Sequence, residues 1–185
     1  MRDADTRNEL FDAVSRLESA IVSLRSDAHY RGLVEAQLKH AGIAEPPVSV
    51  EDVAAVLGVP LMTVTLPKWF SGAIVLDDGT PVLLLNAASP PDARRSVLAH
   101  LMAHILIRID DPSMPYPRDS DPDHRLAEVM AGELIMPAYL VKEQASKWFN
   151  DYRYLARLFG VSEHMMTARM RDMGLLKAHG LAWDY

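Results

Sequence analysis

The stretch from Ser96 to Ile107, SVLAHLMAHILI, is apolar on nearly every face of a helix. Val97, Leu98, Ala99, Leu101, Met102, Ala103, Ile105, Leu106 and Ile107 leave no polar stripe to turn toward water, and a helix that is apolar all round is a buried one. The run is shorter than the ~18 apolar residues of a membrane span. The expectation is therefore a helix at the centre of a globular fold. It also carries His100 and His104, one turn apart and on the same face. Imidazoles inside such a helix need partners, because an unpaired buried polar group is costly. Hydrogen bonds within the core would serve, and so would one metal ion gripped by both rings. The pair alone leaves both readings open.

The rest of the chain supplies layers for that helix to pack against. Ser49 is placed to cap a short helix over Val50 to Leu57, with Asp52 at its third position and Gly58 just past its end. LMTVTL reads as a strand, and GAIVLDDGTPVLLLN as two strands joined by an Asp78-Gly79 turn. In SPPDARRS, Ser89 is expected to cap the long helix, with Pro90 at a position where a missing N–H costs nothing. DDPSMPYPRDSDPD reads as a loop and HRLAEVMAGELIM as a helix that stops or kinks at Pro137. DYRYLARLFGVSEHMMTARMRDMGLL reads as two amphipathic helices meeting at Gly160, the second capped by Ser162, a helix-turn-helix-like pattern. Ahead of all this, Leu10, Val14, Leu17, Ile21 and Leu24 recur at spacings of 4, 3, 4 and 3. That seam suits either docking on the chain's own domain or a homodimer contact.

Composition bounds the chemistry. The 185 residues contain no cysteine, so thiol catalysis and disulfides are excluded, and a transition-metal site must use His, Asp or Glu. The N-terminus is polar and then amphipathic, without a signal peptide's apolar core, so the expected location is the cytoplasm. A net charge of -6 argues against bulk nucleic-acid binding.

Several motifs in order, RRSVLAHLMAH, then a loop, then HRLAEVMAGELIMP, resemble the ImmA/IrrE metallopeptidases. In that family the pattern is roughly R-R-x-x-L-A-H-E-x-x-H followed by a helix ending L-L-M-P. The resemblance covers about residues 48 to 176. It implies an α+β fold: a zincin-like helical core, a small antiparallel β-sheet and closing C-terminal helices. Residues 1-45 then form an N-terminal helical extension to a domain at 46-185, with a helix-turn-helix-like subregion at 150-177. It further implies that His100 and His104 are metal ligands. The family's third ligand, a glutamate thirteen residues before the motif's proline, falls on His124. Three histidines with an open fourth position suit Zn²⁺, and Co²⁺ or Ni²⁺ less specifically. A decayed site, with His124 a polar helix-start residue, is the plain alternative.

One departure decides the expected chemistry. Where the family has its glutamate base, this chain has Leu101. A missing general base typically costs ~10²–10⁴-fold. The expectation is therefore a pseudopeptidase, a regulatory protein that binds a partner such as a helix-turn-helix repressor without cutting it. A second reading is an active zinc hydrolase in which Glu128, one turn after His124, replaces the base. A third is DNA binding through the C-terminal helices, where Arg153, Arg157, Arg169, Arg171 and Lys177 are diluted by Asp151, Glu163 and Asp172. Met130, Met136, Met165, Met166, Met170 and Met173 read as soft core filling. Trp69 and Phe70 suit either a peptide-binding edge or the core. His29, His40, His164 and His179 have no ligand-like spacing.

Overall fold

The apolar helix forms where its sequence demands. It is α3, Pro91–Asp110, and from Leu98 to Ile107 every residue except His100 is buried. The structure, a computed structural model, describes residues 27–112 and 124–176. Around α3 lie α1 (residues 27–40), α2 (Val50–Val56), β1 (Leu61–Val64), β2 (Gly72–Asp77), β3 (Thr80–Asn86), α4 (His124–Ile135), α5 (Ala138–Lys147), α6 (Tyr152–Phe159) and α7 (Glu163–Asp172). The heptad-like seam from Leu10 to Leu24, most of the stretch expected as a loop (113–123), and Lys177 and His179 lie outside the described residues. Val34 and Leu38 of α1 are completely buried in the same core as α3.

Local signals fix most element ends. Ser49 Oγ accepts from Asp52 N at 3.1 Å, and Ser162 Oγ from Met165 N at 3.2 Å, each quenching a donor left free in a first helical turn. Gly160 closes α6 at φ 62°, where a side chain would strain the backbone. Asp78 and Gly79 both adopt positive φ, 48° and 82°, as the tight β2–β3 turn requires. Ser89 does not cap α3. Its N–H bonds Asn86 O at 3.1 Å within a turn, and the helix begins at Pro91 after Pro90, without a side-chain cap. With two prolines in succession, the first helical position carries no N–H to satisfy.

The class is α+β, but the three-stranded sheet is mixed rather than antiparallel. Its order is β1-β3-β2, with β2 antiparallel to β3 and β1 parallel to it. The hairpin was readable because a two-residue turn dictates its sense. The direction of β1 depends on the connection from β1 to β2, which crosses from one edge of the sheet to the other past the end of β3, and no local motif records it. That connection is pinned by Asn86, which is 1% exposed. Its Oδ1 accepts from Leu66 N and Ala88 N, and its Nδ2 faces the carbonyls of Leu66, Pro67 and Phe70, the last at 2.7 Å. Phe70 is thereby delivered to the edge of the cleft described next. The methionines behave as core: Met130, Met136, Met166 and Met170 are buried. No helix among the described residues is long and apolar enough to cross a membrane.

Candidate functional site

Helices α3 and α4 bring His100, His104 and His124 together, with one nitrogen from each ring lying within 4.8 Å of the others. His104 Nε2 is 3.1 Å from His100 Nε2, and His124 Nδ1 is 3.3 Å from that same atom. The His100 and His124 rings are stacked at 15°, while His104 stands edge-on to both. A neutral imidazole offers one N–H and one lone pair. His100 Nε2 therefore makes at most one good hydrogen bond with its two neighbours. His124 Nε2 is buried with no partner. The three rings satisfy one another poorly.

A cation would use the same lone pairs well. An ion about 2.0–2.1 Å from two nitrogens at a tetrahedral angle holds them about 3.3–3.4 Å apart, close to the two spacings from His100 Nε2. The donor set, three imidazoles, suits zinc. Burial lowers the pKa of His104 to about 4, assisted by the neighbouring His100 and His124. Burial first, then His124, also lowers that of His100, against a small opposing effect of Glu128. Both rings are neutral at pH 7, the form a metal ligand needs.

The histidines form one wall of a cleft of about 500 Å³ between α3 and β2. The opposite wall is Phe70, Ser71, Gly72, Ala73 and Ile74, and Ser96, Val97 and Leu101 complete it. Among the described residues that line it there is no carboxylate. Gly72 allows the narrow approach of strand and helix. A Cβ there would lie 2.7 Å from Leu84 O and 2.8 Å from Val97 Cγ1. A glycine inside a strand is a signal of such close approach, and the sequence reading did not use it. Leu101, 9% exposed, presents its side chain to the cleft beside the imidazoles. Glu128 is exposed and is not among the lining residues.

The other candidates separate from this site. Phe70 reaches the cleft, while Trp69, packed edge-on against it, is 82% exposed. His29 bonds Asp110 at 2.9 Å on the surface, and His40 and His164 are exposed. Arg169 is not a surface cation. It is 6% exposed and bound to Glu133 and to Met136 O. Arg95, from the RR pair, donates to the carbonyls of Phe159 at 2.6 Å and Gly160 at 2.8 Å, tying α3 to the end of α6.

Comparison with known proteins places this geometry. Residues 54–171 match the model of a peptidase family described as the IrrE N-terminal-like domain, which is more than half of the chain. The chain belongs to that family. The IrrE-like fold is also found in a solved structure, a Mycobacterium tuberculosis transcriptional regulator, at a TM-score of 0.56 and 18% identity. The match covers 77% of this chain and 46% of that one, so this IrrE-like chain spans less than half the length of that regulator. No curated protein matches it.

Proposed function

We propose that this protein is a non-proteolytic IrrE-like regulatory protein of the cytoplasm. It binds a protein partner, such as a helix-turn-helix regulator, and holds one zinc ion on His100, His104 and His124. The observation that carries the loss of proteolysis is the cleft itself, where Leu101 stands beside the imidazoles and no carboxylate lines the described walls. When bound, zinc supplies Lewis acidity and lowers the pKa of a coordinated water. Peptide hydrolysis also requires a group to take a proton and return it to the leaving amine, and Leu101 does neither. The neutral imidazoles hold and orient; Val97, Leu101 and Ile74 exclude water from the neighbouring wall.

Regulation is supported by the likeness to a transcriptional regulator, an analogy at the level of fold. A protein partner is favoured over DNA because the cationic surface of α6 and α7 is reduced: Arg169 is occupied by Glu133, and Arg153 lies 3.9 Å from Glu163. The test presents a helix-turn-helix regulator to the wild type, Leu101→Glu and Glu128→Ala. The expected result is binding by the wild type without cleavage. Metal-dependent cutting by the wild type would overturn the proposal, and its loss in Glu128→Ala would assign the base to Glu128.

A further inference from the structure

We propose that the histidine cleft is a receptor for a carboxylate that carries an apolar group. The carboxylate would take the open position of the metal, and its hydrocarbon would lie against Leu101, Val97, Ile74 and Phe70. The inference rests on the three-histidine metal reading and extends it to the class of ligand.

Charge makes the first argument. Three imidazoles are neutral ligands, so a divalent ion held by them keeps its full double charge, whereas a carboxylate ligand would cancel one unit. Among the described residues lining the cleft no acid offsets it. Glu128 acts on His100 only from an exposed position outside the lining. A cation in a cleft with low-dielectric walls attracts an anion far more strongly than it would in open water. At position 101 an acid would repel such an anion, and leucine does not.

The walls make the second argument. Among the described lining residues beside the imidazoles, Leu101, Val97, Ile74, Ala73 and Phe70 are apolar, and the polar side chains are Ser71 and Ser96. A small hydrophilic anion gains nothing from those walls. A ligand with several methylenes gains about threefold to fourfold in affinity for each one buried. A cleft of about 500 Å³ lies within the usual size range of small-molecule sites.

The test uses the full chain loaded with cobalt(II), whose visible absorption reports changes at its open coordination position. The probes are acetate, octanoate, a short peptide ending in leucine with a free carboxylate, and the same peptide as its amide. Octanoate is expected to shift the spectrum and to bind at least about tenfold tighter than acetate. The free-acid peptide is expected to shift it and the amide to leave it unchanged. A shift with octanoate alone assigns the ligand to free acids; a shift with the peptide acid as well assigns it to carboxylates of either source. Leu101→Glu is expected to weaken octanoate by about tenfold or more, and Leu101→Gln, uncharged, by less. Failure of the chain to take up cobalt would overturn the metal reading and this inference with it. Uptake with a spectrum indifferent to octanoate, or equal affinity for acetate and octanoate, would overturn the inference alone. The wild-type comparison stands whether or not the variants fold.

Discussion

Helix α4 carries one polar cluster near each end, and the two are opposite in kind. Toward its C-terminus, Glu133 is met on every side. Arg169 pairs with one carboxylate oxygen, Arg31 approaches the same oxygen at 3.3 Å, and Ala138 N donates to the other at 2.6 Å. Arg169 in turn bonds Met136 O at 3.0 Å. The cluster joins α1, α4, the start of α5 and α7, with nothing left over. At the N-terminal end, His124 meets His100 through one nitrogen and nothing through the other. Glu133 and Arg169 are buried, while of the histidines only His104 is, with His100 and His124 half-buried at the cleft. The sharper difference is in satisfaction. A closed network has no capacity for a ligand and contributes to the fold, while an open one carries a cost in stability and keeps lone pairs that a ligand can use.

The largest test breaks the closed end. Arg169→Met leaves Glu133 buried at 2% exposure with only the half-exposed Arg31 as its cationic partner. Removing one member of a buried pair costs about 3–5 kcal/mol, so urea denaturation should show a loss of that order. A loss below about 1 kcal/mol would mean that the network relaxes to water and that the contrast is false. At the open end, zinc supplied at a hundredfold excess over its dissociation constant should raise stability by about 2.7 kcal/mol. His104→Ala should abolish that gain, and calcium, which prefers oxygen ligands, should not produce it. Thermal melts with and without chelator measure both.

The two ends were unequally legible in the sequence. His100 and His104 announced themselves because one helix fixes their spacing, and His124 was reachable only through the family motif that sets its distance from Pro137. The caps at Ser49 and Ser162 and the turn at Asp78-Gly79 were visible because a few consecutive residues contain all the physics. The partnership of Glu133 with Arg169 spans α5, α6 and the turn before α7. Nothing local separates those two residues from the other acids and bases of the chain, and Arg169 accordingly read as surface charge. The mixed sheet was hidden for the same reason. Strand direction and ion pairing across the fold are decided by tertiary packing, while helix periodicity and capping are decided within a few residues.

A smaller effect follows from pH in the chelated protein. His104 titrates near 4 when folded against ~6.5 in an unfolded chain, and His100 is shifted the same way. Between those values the unfolded state binds more protons, so stability rises with pH across the window and falls as pH drops from about 6.5 toward 4. The effect should stay below that of zinc, because the site opens on a cleft and water screens it. Denaturation midpoints at pH 7 and pH 5 should differ in the wild type and converge in His104→Gln. Equal midpoints in the wild type would show that the rings are not held neutral by burial.

The smallest expected change is the most discriminating, because its sign is opposite to that at Arg169. His124→Leu removes the nitrogen that has no partner and keeps the apolar bulk of the ring in part. The unpartnered Nε2 is a cost the native state carries, so its removal should stabilise the chelated protein by about 1 kcal/mol. Leucine also favours a helix more than histidine does, which acts in the same direction. The same variant should lose the whole stabilisation by zinc, since two imidazoles on one turn remain without the third. One substitution would then raise the metal-free stability and abolish the metal-bound gain, a pairing that a purely structural histidine does not produce. If His124→Leu instead destabilised the chelated protein by several kcal/mol, as Arg169→Met should, the ring would belong to the closed class. His100 and His104 would then be left as a pair without a third ligand.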